Sequence, residues 1–217
     1  MIKAIIFDFD GTIADSVDIK TDAFADLYKP YGGKIEKKVI KYHLTHGGVS
    51  RFEKIKYFHK EFLNIDLNKD KVQQLAQSFS KLVIDKVVNA PYIEGAFEFI
   101  SNNYKKYSLF ISTATPTNEI IDILHRKNLI HFFKDIKGSP ESKIDHVKHI
   151  ISKNNYLRNE TVFIGDSESD KEAAVQNNLY FIQISKEEIE FLEENSMPNL
   201  KNISTMINLL NRKNKRL

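Results

Sequence analysis

From residue 92 onward the sequence alternates short β-branched and aromatic runs with amphipathic stretches, and one further apolar run opens the chain. KAIIFDFDGT (3–12), YSLFISTA (107–114), TVFIGDS (161–167) and LYFIQIS (179–185) read as buried strands, because they lack the polar alternation of a half-exposed strand. Between and beside them lie the helical patterns GAFEFISNNY (95–104), NEIIDILHRKN (118–128), KIDHVKHIISKNN (143–155) and DKEAAVQNN (170–178). Four apolar strands joined by helical crossovers specify an α/β fold, a doubly wound, Rossmann-like parallel sheet. IHFFKDIKG (130–138) reads as a short apolar stretch, PNLKNISTMINLL (198–210) as a closing helix, and NRKNKRL (211–217) as a solvated basic tail.

Between the first strand and residue 92 the pattern is helical throughout. AFADLYKPYG (23–32), SRFEKIKYFHKEFL (50–63) and VQQLAQSFSKLVIDKVV (72–88) space their apolar residues by three and four, with breaks at Gly47-Gly48 and LNKDK (67–71). The expected organisation is a core domain of residues 1–14 and 92–217 with an inserted all-helical cap domain, 15–91. Ligands of open α/β sheets bind at the carboxyl ends of the strands, where strand order reverses. Three strands end in suitable groups: Asp8 with Asp10, Thr113, and Asp166 with Asp170.

At 217 residues, 41% of them hydrophobic and 28% charged, the chain is long enough for one substantial core. Thirty-two basic against 29 acidic residues give a net charge of +3, which makes no case for nucleic acid or membrane partners and is compatible with a small anionic substrate. No segment approaches the ~20 consecutive apolar residues of a membrane span. The run 2–9 carries Asp8 and lacks a small-residue cleavage site, so it reads as a strand and not as a signal peptide. The absence of cysteine excludes disulfides, thiolate nucleophiles and cysteine-ligated zinc, and fits a reducing cytoplasm. Any metal must sit on oxygen or imidazole.

Asp8 and Asp10 project to one face at the end of an apolar strand. Burying two carboxylates is expensive unless a cation neutralises them or they serve as an acid and a nucleophile; the plainer alternative is a strand-end turn capped by Asp. Gly11 and Thr12 suit a tight turn whose N–H groups face an anion.

KAIIFDFDGTIADS (3–16) resembles the first motif of the haloacid dehalogenase superfamily, a hydrophobic run followed by Asp-x-Asp-Gly-Thr, and the likeness extends along nearly the whole chain. The resemblance implies that Asp8 attacks phosphorus to form an aspartyl-phosphate and that Asp10 acts as general acid and base. The second aspartate argues against dehalogenation, because the dehalogenases lack it and use no metal. LFISTATP (109–116) resembles the phosphate-binding strand end: among Ser112, Thr113 and Thr115 we take Thr113, with the N–H of Ala114 beside it. Lys143 resembles the charge-balancing lysine, although Lys-Ile-Asp stands where many relatives have Lys-Pro, and Lys137 is a substitute.

VFIGDSESD (162–170) supplies the last motif. By resemblance Mg²⁺ is held by Asp8, the carbonyl of Asp10 and Asp166, with Asp170 ligating or supporting; a helix N-cap is the alternative for Asp170. The insertion resembles the helical cap of phosphoglycolate phosphatase and β-phosphoglucomutase-like relatives. Its HGGVSRFEKIKYF (46–58) is similar to their Gly-Val-Ser-Arg segment, which implies Arg51 on a substrate anion; a surface or intra-cap ion pair is the alternative. The histidines form no spaced metal set: His43, His46 and His59 read as ordinary helix residues, and His146 and His149 as surface. The expected protein is a Mg²⁺-dependent phosphatase, monomer or homodimer, acting on a small phosphorylated metabolite. A phosphomutase is the alternative that Arg51 keeps open, and a non-catalytic module a remote one.

Overall fold

The computed structural model describes residues 1–185 and 196–214. Strands β1 (Ala4–Phe7), β2 (Ser108–Pro116), β3 (Phe133–Ser139), β4 (Thr161–Gly165), β5 (Tyr180–Ile184) and β6 (Ser196–Met197) form one parallel sheet in the order β3-β2-β1-β4-β5-β6. The chain steps outward from β1 through β2 and β3, then crosses back to lay β4 on the other side of β1. The switch point therefore falls at the carboxyl ends of β1 and β4.

Four α-helices make up the insertion that follows β1: α1 (Val17–Tyr28), α2 (Gly33–Thr45), α3 (Arg51–Tyr57) and α4 (Lys69–Asn89). The remaining helices, α5 (Ala96–Asn103), α6 (Thr117–Arg126), α7 (Lys143–Asn154), α8 (Glu168–Gln176) and α9 (Ile203–Asn214), flank the sheet. The fold is thus the doubly wound sheet with an inserted helical cap. The basic tail starts as the end of α9, and residues 215–217 lie outside the described residues.

Side chains of the central strands alternate between the two faces, as the pleat requires. Ile5, Phe7, Leu109, Ile111, Val162 and Ile164 join one apolar cluster, while Ala4, Ile6, Phe110 and Phe163 pack with Val147, Ile150, Ala173 and Ala174 of α7 and α8. The first cluster continues without a break into the insertion through Phe24, Val39, Ile55 and Phe79. Phe24 and Phe79 stack there at 4.2 Å between ring centroids.

Two readings of the sequence need correction. The stretch 130–138 contains the edge strand β3, whose Lys134, Asp135 and Lys137 break the apolar run because an edge is only partly covered. His146 is not on the surface: it is fully buried, in line with Lys143, Val147 and Ile150 on the inward stripe of α7. Its Nε2 donates to the carbonyl of Gly138 (3.2 Å) and its Nδ1 accepts from Ser112 Oγ (3.0 Å), so the partners fix one neutral tautomer and tie β2 to β3.

Burial holds the His146 imidazole down at about 4. An unfolded histidine titrates near 6.5, so over this interval the unfolded chain binds the proton, and the stability contributed by neutral His146 is full above about pH 6.5 and lost toward pH 4. His146→Gln should cost about 1 kcal/mol or more at neutral pH in urea unfolding, and that deficit should shrink as the pH is lowered to about 5. A deficit independent of pH would contradict the neutral, buried assignment.

Candidate active site

Asp8 follows β1 directly and sits at the switch point, 5% exposed. Its Oδ1 accepts the N–H of Phe9 (2.7 Å) and its Oδ2 accepts from Lys143 Nζ (2.8 Å), which also donates to Asp170 Oδ1 (2.6 Å). Lys143 is the first residue of α7, whose start is fixed by Ser142 accepting from the N–H of Asp145 (3.1 Å). Lys137 instead faces Asp135 at 3.9 Å on the edge strand. Burial pushes the Asp8 carboxyl up to about 7, with Lys143 pulling against it and Asp170 and Asp10 adding to it. Burial also works against the Lys143 charge, but Asp170 and Asp8 together hold it above the ordinary lysine range.

Asp10 is arranged differently. Ser16 Oγ donates to its Oδ1 (2.6 Å), and Thr115 Oγ1 (3.0 Å) and Lys20 Nζ donate to its Oδ2. Against the cost of burial, the Lys20 ammonium holds Asp10 below the usual carboxylate value. Thr113, 1% exposed, accepts the N–H of Thr115 (3.2 Å), which leaves its own hydroxyl hydrogen to donate toward the cavity it lines with Ala114.

Gly11 has φ of 78°, and a Cβ there would stand 2.2 Å from Asp166 Oδ2. A Cβ on Gly165 would stand 2.3 Å from Cγ of Asp170. Both glycines are required by the acids packed against them, in addition to the left-handed turn at Gly11. Thr12 is fully buried with an unpartnered hydroxyl, so its side chain does not face the cavity in this conformation.

One oxygen each of Asp8, Asp166 and Asp170 lie within 4.8 Å of one another. Asp166 is half-buried and accepts no hydrogen bond among the described residues; burial, then Asp8 and Asp170, drive its carboxyl well above the usual range. Asp8, Asp10, Asp166 and Asp170 face two ammonium groups, Lys20 and Lys143, so the site is short of positive charge. Hard oxygen donors with a deficit of positive charge fit Mg²⁺. Asp8 and Asp166 fit as ligands. Asp170 fits as a support, because Oδ1 is taken by Lys143 and Oδ2 by the Ser167 N–H (3.1 Å) and hydroxyl (2.6 Å), a helix-capping arrangement.

The insertion forms the opposite wall of a cavity of about 220 Å³. Gly48 lies against the core so closely that a Cβ would overlap Ser169. Arg51 does not present itself to a substrate anion. It makes a buried bidentate pair with Glu119 of α6, Nη1 to Oε2 at 2.8 Å and Nη2 to Oε1 at 2.5 Å, and Ser80 Oγ of α4 joins both partners. The pair thus links the insertion to the helix that follows β2. Lys54, one turn after Arg51, is 1% exposed and donates to His43 Nδ1 (2.7 Å). His43 and His59 are also buried, while His46 is exposed on the ring of Tyr42 and His149 is exposed. Sequence reasoning missed Lys20, Lys54 and Glu119; for Lys54 alone a signal existed, its three-residue spacing from Arg51 on one helix face.

An acid-rich, lysine-bridged pocket at the switch point of a doubly wound sheet, roofed by an inserted helical cap, is the arrangement of a capped phosphohydrolase. The chain belongs to the haloacid dehalogenase-like hydrolase family, whose model matches residues 5–184. It is 25% identical over 185 residues to a phosphorylated carbohydrates phosphatase of Thermotoga maritima, covering 80% of each chain. Among solved structures it resembles β-phosphoglucomutase from Clostridium difficile (TM-score 0.80, 17% identity, 98% and 99% of the two chains covered). It also resembles a predicted phosphoglycolate phosphatase from Haemophilus somnus (TM-score 0.72, 17% identity, 95% and 98% covered).

Lys143 keeps two buried carboxylates in one site. Lys143→Met should destabilise the protein by about 3–5 kcal/mol at neutral pH without added metal, read by urea unfolding, because it strips the counter-charge from Asp8 and Asp170. A loss below about 1 kcal/mol would mean that the lysine is not what balances them.

Proposed function

We propose that this chain is a Mg²⁺-dependent phosphatase that hydrolyses a small phosphate monoester through an aspartyl-phosphate on Asp8. The observation that carries the reading is Asp8 itself: a buried carboxylate at the switch point, with Lys143 at 2.8 Å, Asp166 beside it and Asp10 two residues on. Its oxygen attacks phosphorus as the bond to the leaving oxygen breaks; water then attacks the aspartyl-phosphate, releasing phosphate and restoring Asp8. Lys143 offsets the charge of nucleophile and phosphoryl group, and Thr113 donates its free hydroxyl hydrogen to a phosphoryl oxygen. Asp8, the Asp10 carbonyl and Asp166 would hold Mg²⁺, which would supply the positive charge that lets an anionic ester approach an anionic nucleophile. Asp10 enters as a carboxylate held by Lys20, the form that accepts a proton from the attacking water. To protonate the leaving oxygen in the first half it must first be released from Lys20 and take up a proton from solvent, which it then passes to that oxygen.

Residues 15–91 act as the cap domain over the core of 1–14 and 92–217, shutting out bulk water and selecting the leaving group. The likeness to a phosphatase of phosphorylated carbohydrates supports a small phosphorylated metabolite as substrate. Cysteine-free composition supports a cytoplasmic setting, and among the described residues no helix is long and apolar enough to cross a membrane. The phosphomutase alternative rested on Arg51, which is engaged by Glu119, and so phosphate release is favoured over internal transfer.

With Mg²⁺ and a panel of small phosphate esters, wild type should release phosphate continuously. Asp8→Asn should fall by about three orders of magnitude or more, as should wild type treated with EDTA. A single burst of enzyme phosphorylation without continued release would favour the mutase. Glu119→Gln should loosen the closed cap, seen as faster proteolysis of residues 46–50 in the apo protein; an unchanged cleavage rate would show that the pair does not hold the cap down.

A further inference from the structure

Around the cavity, every buried cation but one meets a carboxylate. Lys20 meets Asp10, Lys143 meets Asp8 and Asp170, and Arg51 meets Glu119. Lys54 has no carboxylate within ion-pair distance among the described residues, although it is 1% exposed. Its partners are the Nδ1 lone pair of His43 at 2.7 Å and the ring of Phe24, 5.8 Å from Nζ to the centroid. His43 supplies no charge: burial, then the Lys54 ammonium, hold it down at about 3, so it is a neutral acceptor.

A buried ammonium without a counter-charge costs several kcal/mol, so a lysine in such a place either gives up its proton or keeps it for an anion that arrives beside it. Lys54 lines the same cavity as Asp8 and Asp10, on the wall contributed by the insertion. We propose that Lys54, oriented by His43, is the subsite for a second anionic group on the substrate, a carboxylate or a second phosphoryl group carried by the leaving group. On the wall beside Phe24 and Phe79 the other cation, Arg51, is already engaged by Glu119, which leaves Lys54 to receive a charged tail. A cavity of about 220 Å³ suits a small substrate. Burial, then Lys20 and Lys143, pull Lys54 down to about 7, so an arriving anion finds an amine ready to take up or keep its proton. The assignment deepens the phosphatase reading and rests on it for the word substrate, but the anion subsite itself is testable without turnover.

The test is calorimetric binding of three non-hydrolysable probes to the full chain at fixed free Mg²⁺: ethylphosphonate, phosphonoacetate and methylenediphosphonate. Wild type should bind one of the two probes that carry a second anionic group about tenfold or more tightly than ethylphosphonate, and which one it prefers tells a carboxylate from a second phosphoryl group. In Lys54→Met the preference should vanish while ethylphosphonate affinity stays within about twofold, and Lys54→Arg should keep part of it. The proposal is overturned if wild type shows no preference, if Lys54→Met retains it, or if that variant weakens all three probes alike. Phosphate release by wild type is scored separately: release without a preference sinks the subsite alone, and a preference without release sinks the phosphatase reading alone.

Discussion

A single buried lysine, shared between Asp8 and Asp170, is the constraint around which the rest of the site is organised. Its ammonium reaches the end of β1 and the first turn of α8, so three separate elements meet on one charge. Removing positive charge from such a place leaves buried carboxylates with neutral donors alone and no counter-charge. The position of the ammonium is in turn set by α7, which Ser142 caps at its start and His146 anchors to β2 and β3 one turn later. The same helix therefore supplies the counter-charge and the brace that keeps it still. With Asp166 left without a donor, the balance of the site still tips toward the negative, which is the condition a divalent cation requires.

Much of this was legible in the sequence, and the reasons are specific. Central strands buried on both faces must be apolar throughout, so β1, β2, β4 and β5 announce themselves, and an acidic residue where such a run stops is conspicuous. Asp8, Asp10 and Asp166 are of that kind, whereas Thr113 and Lys143 were singled out by the resemblance of their segments to the family's motifs. The edge strand β3 was less visible because its exposed positions admit Lys and Asp. Lys20 and Glu119 were invisible for another reason, and Lys54 was marked only by its spacing from Arg51. On an amphipathic helix a charged residue is ordinarily solvated, and only the partner that tertiary packing brings opposite distinguishes it. Arg51 shows the limit from the other side: its local motif was readable, but its Glu119 partner lies 68 residues away.

The insertion and the core are not merely adjacent. One apolar cluster runs through both, and Arg51, Ser80 and Glu119 form a polar knot at their boundary, with the Arg51 guanidinium 4.6 Å from the centroid of the Phe79 ring. A hydrophobic contact tolerates sliding, whereas a bidentate guanidinium–carboxylate pair holds one relative orientation. The cap is thereby registered against the strand end that carries Thr113 and Thr115, and Lys54 is held in the wall of the cavity that Asp8 also lines.

The glycines beside the acids have an evolutionary consequence. No side chain at position 11 can coexist with the Asp166 carboxylate where it stands, and none at position 165 with that of Asp170. Each acid and its glycine thus form a pair of mutually dependent positions, far apart in sequence in the first case and five residues apart in the second. A lineage can reach this arrangement only with the glycine already in place, and losing the glycine removes the acid's position even if the acid is kept. Drift at these sites is therefore asymmetric: an acid can be exchanged and regained, but a glycine lost there closes the route back.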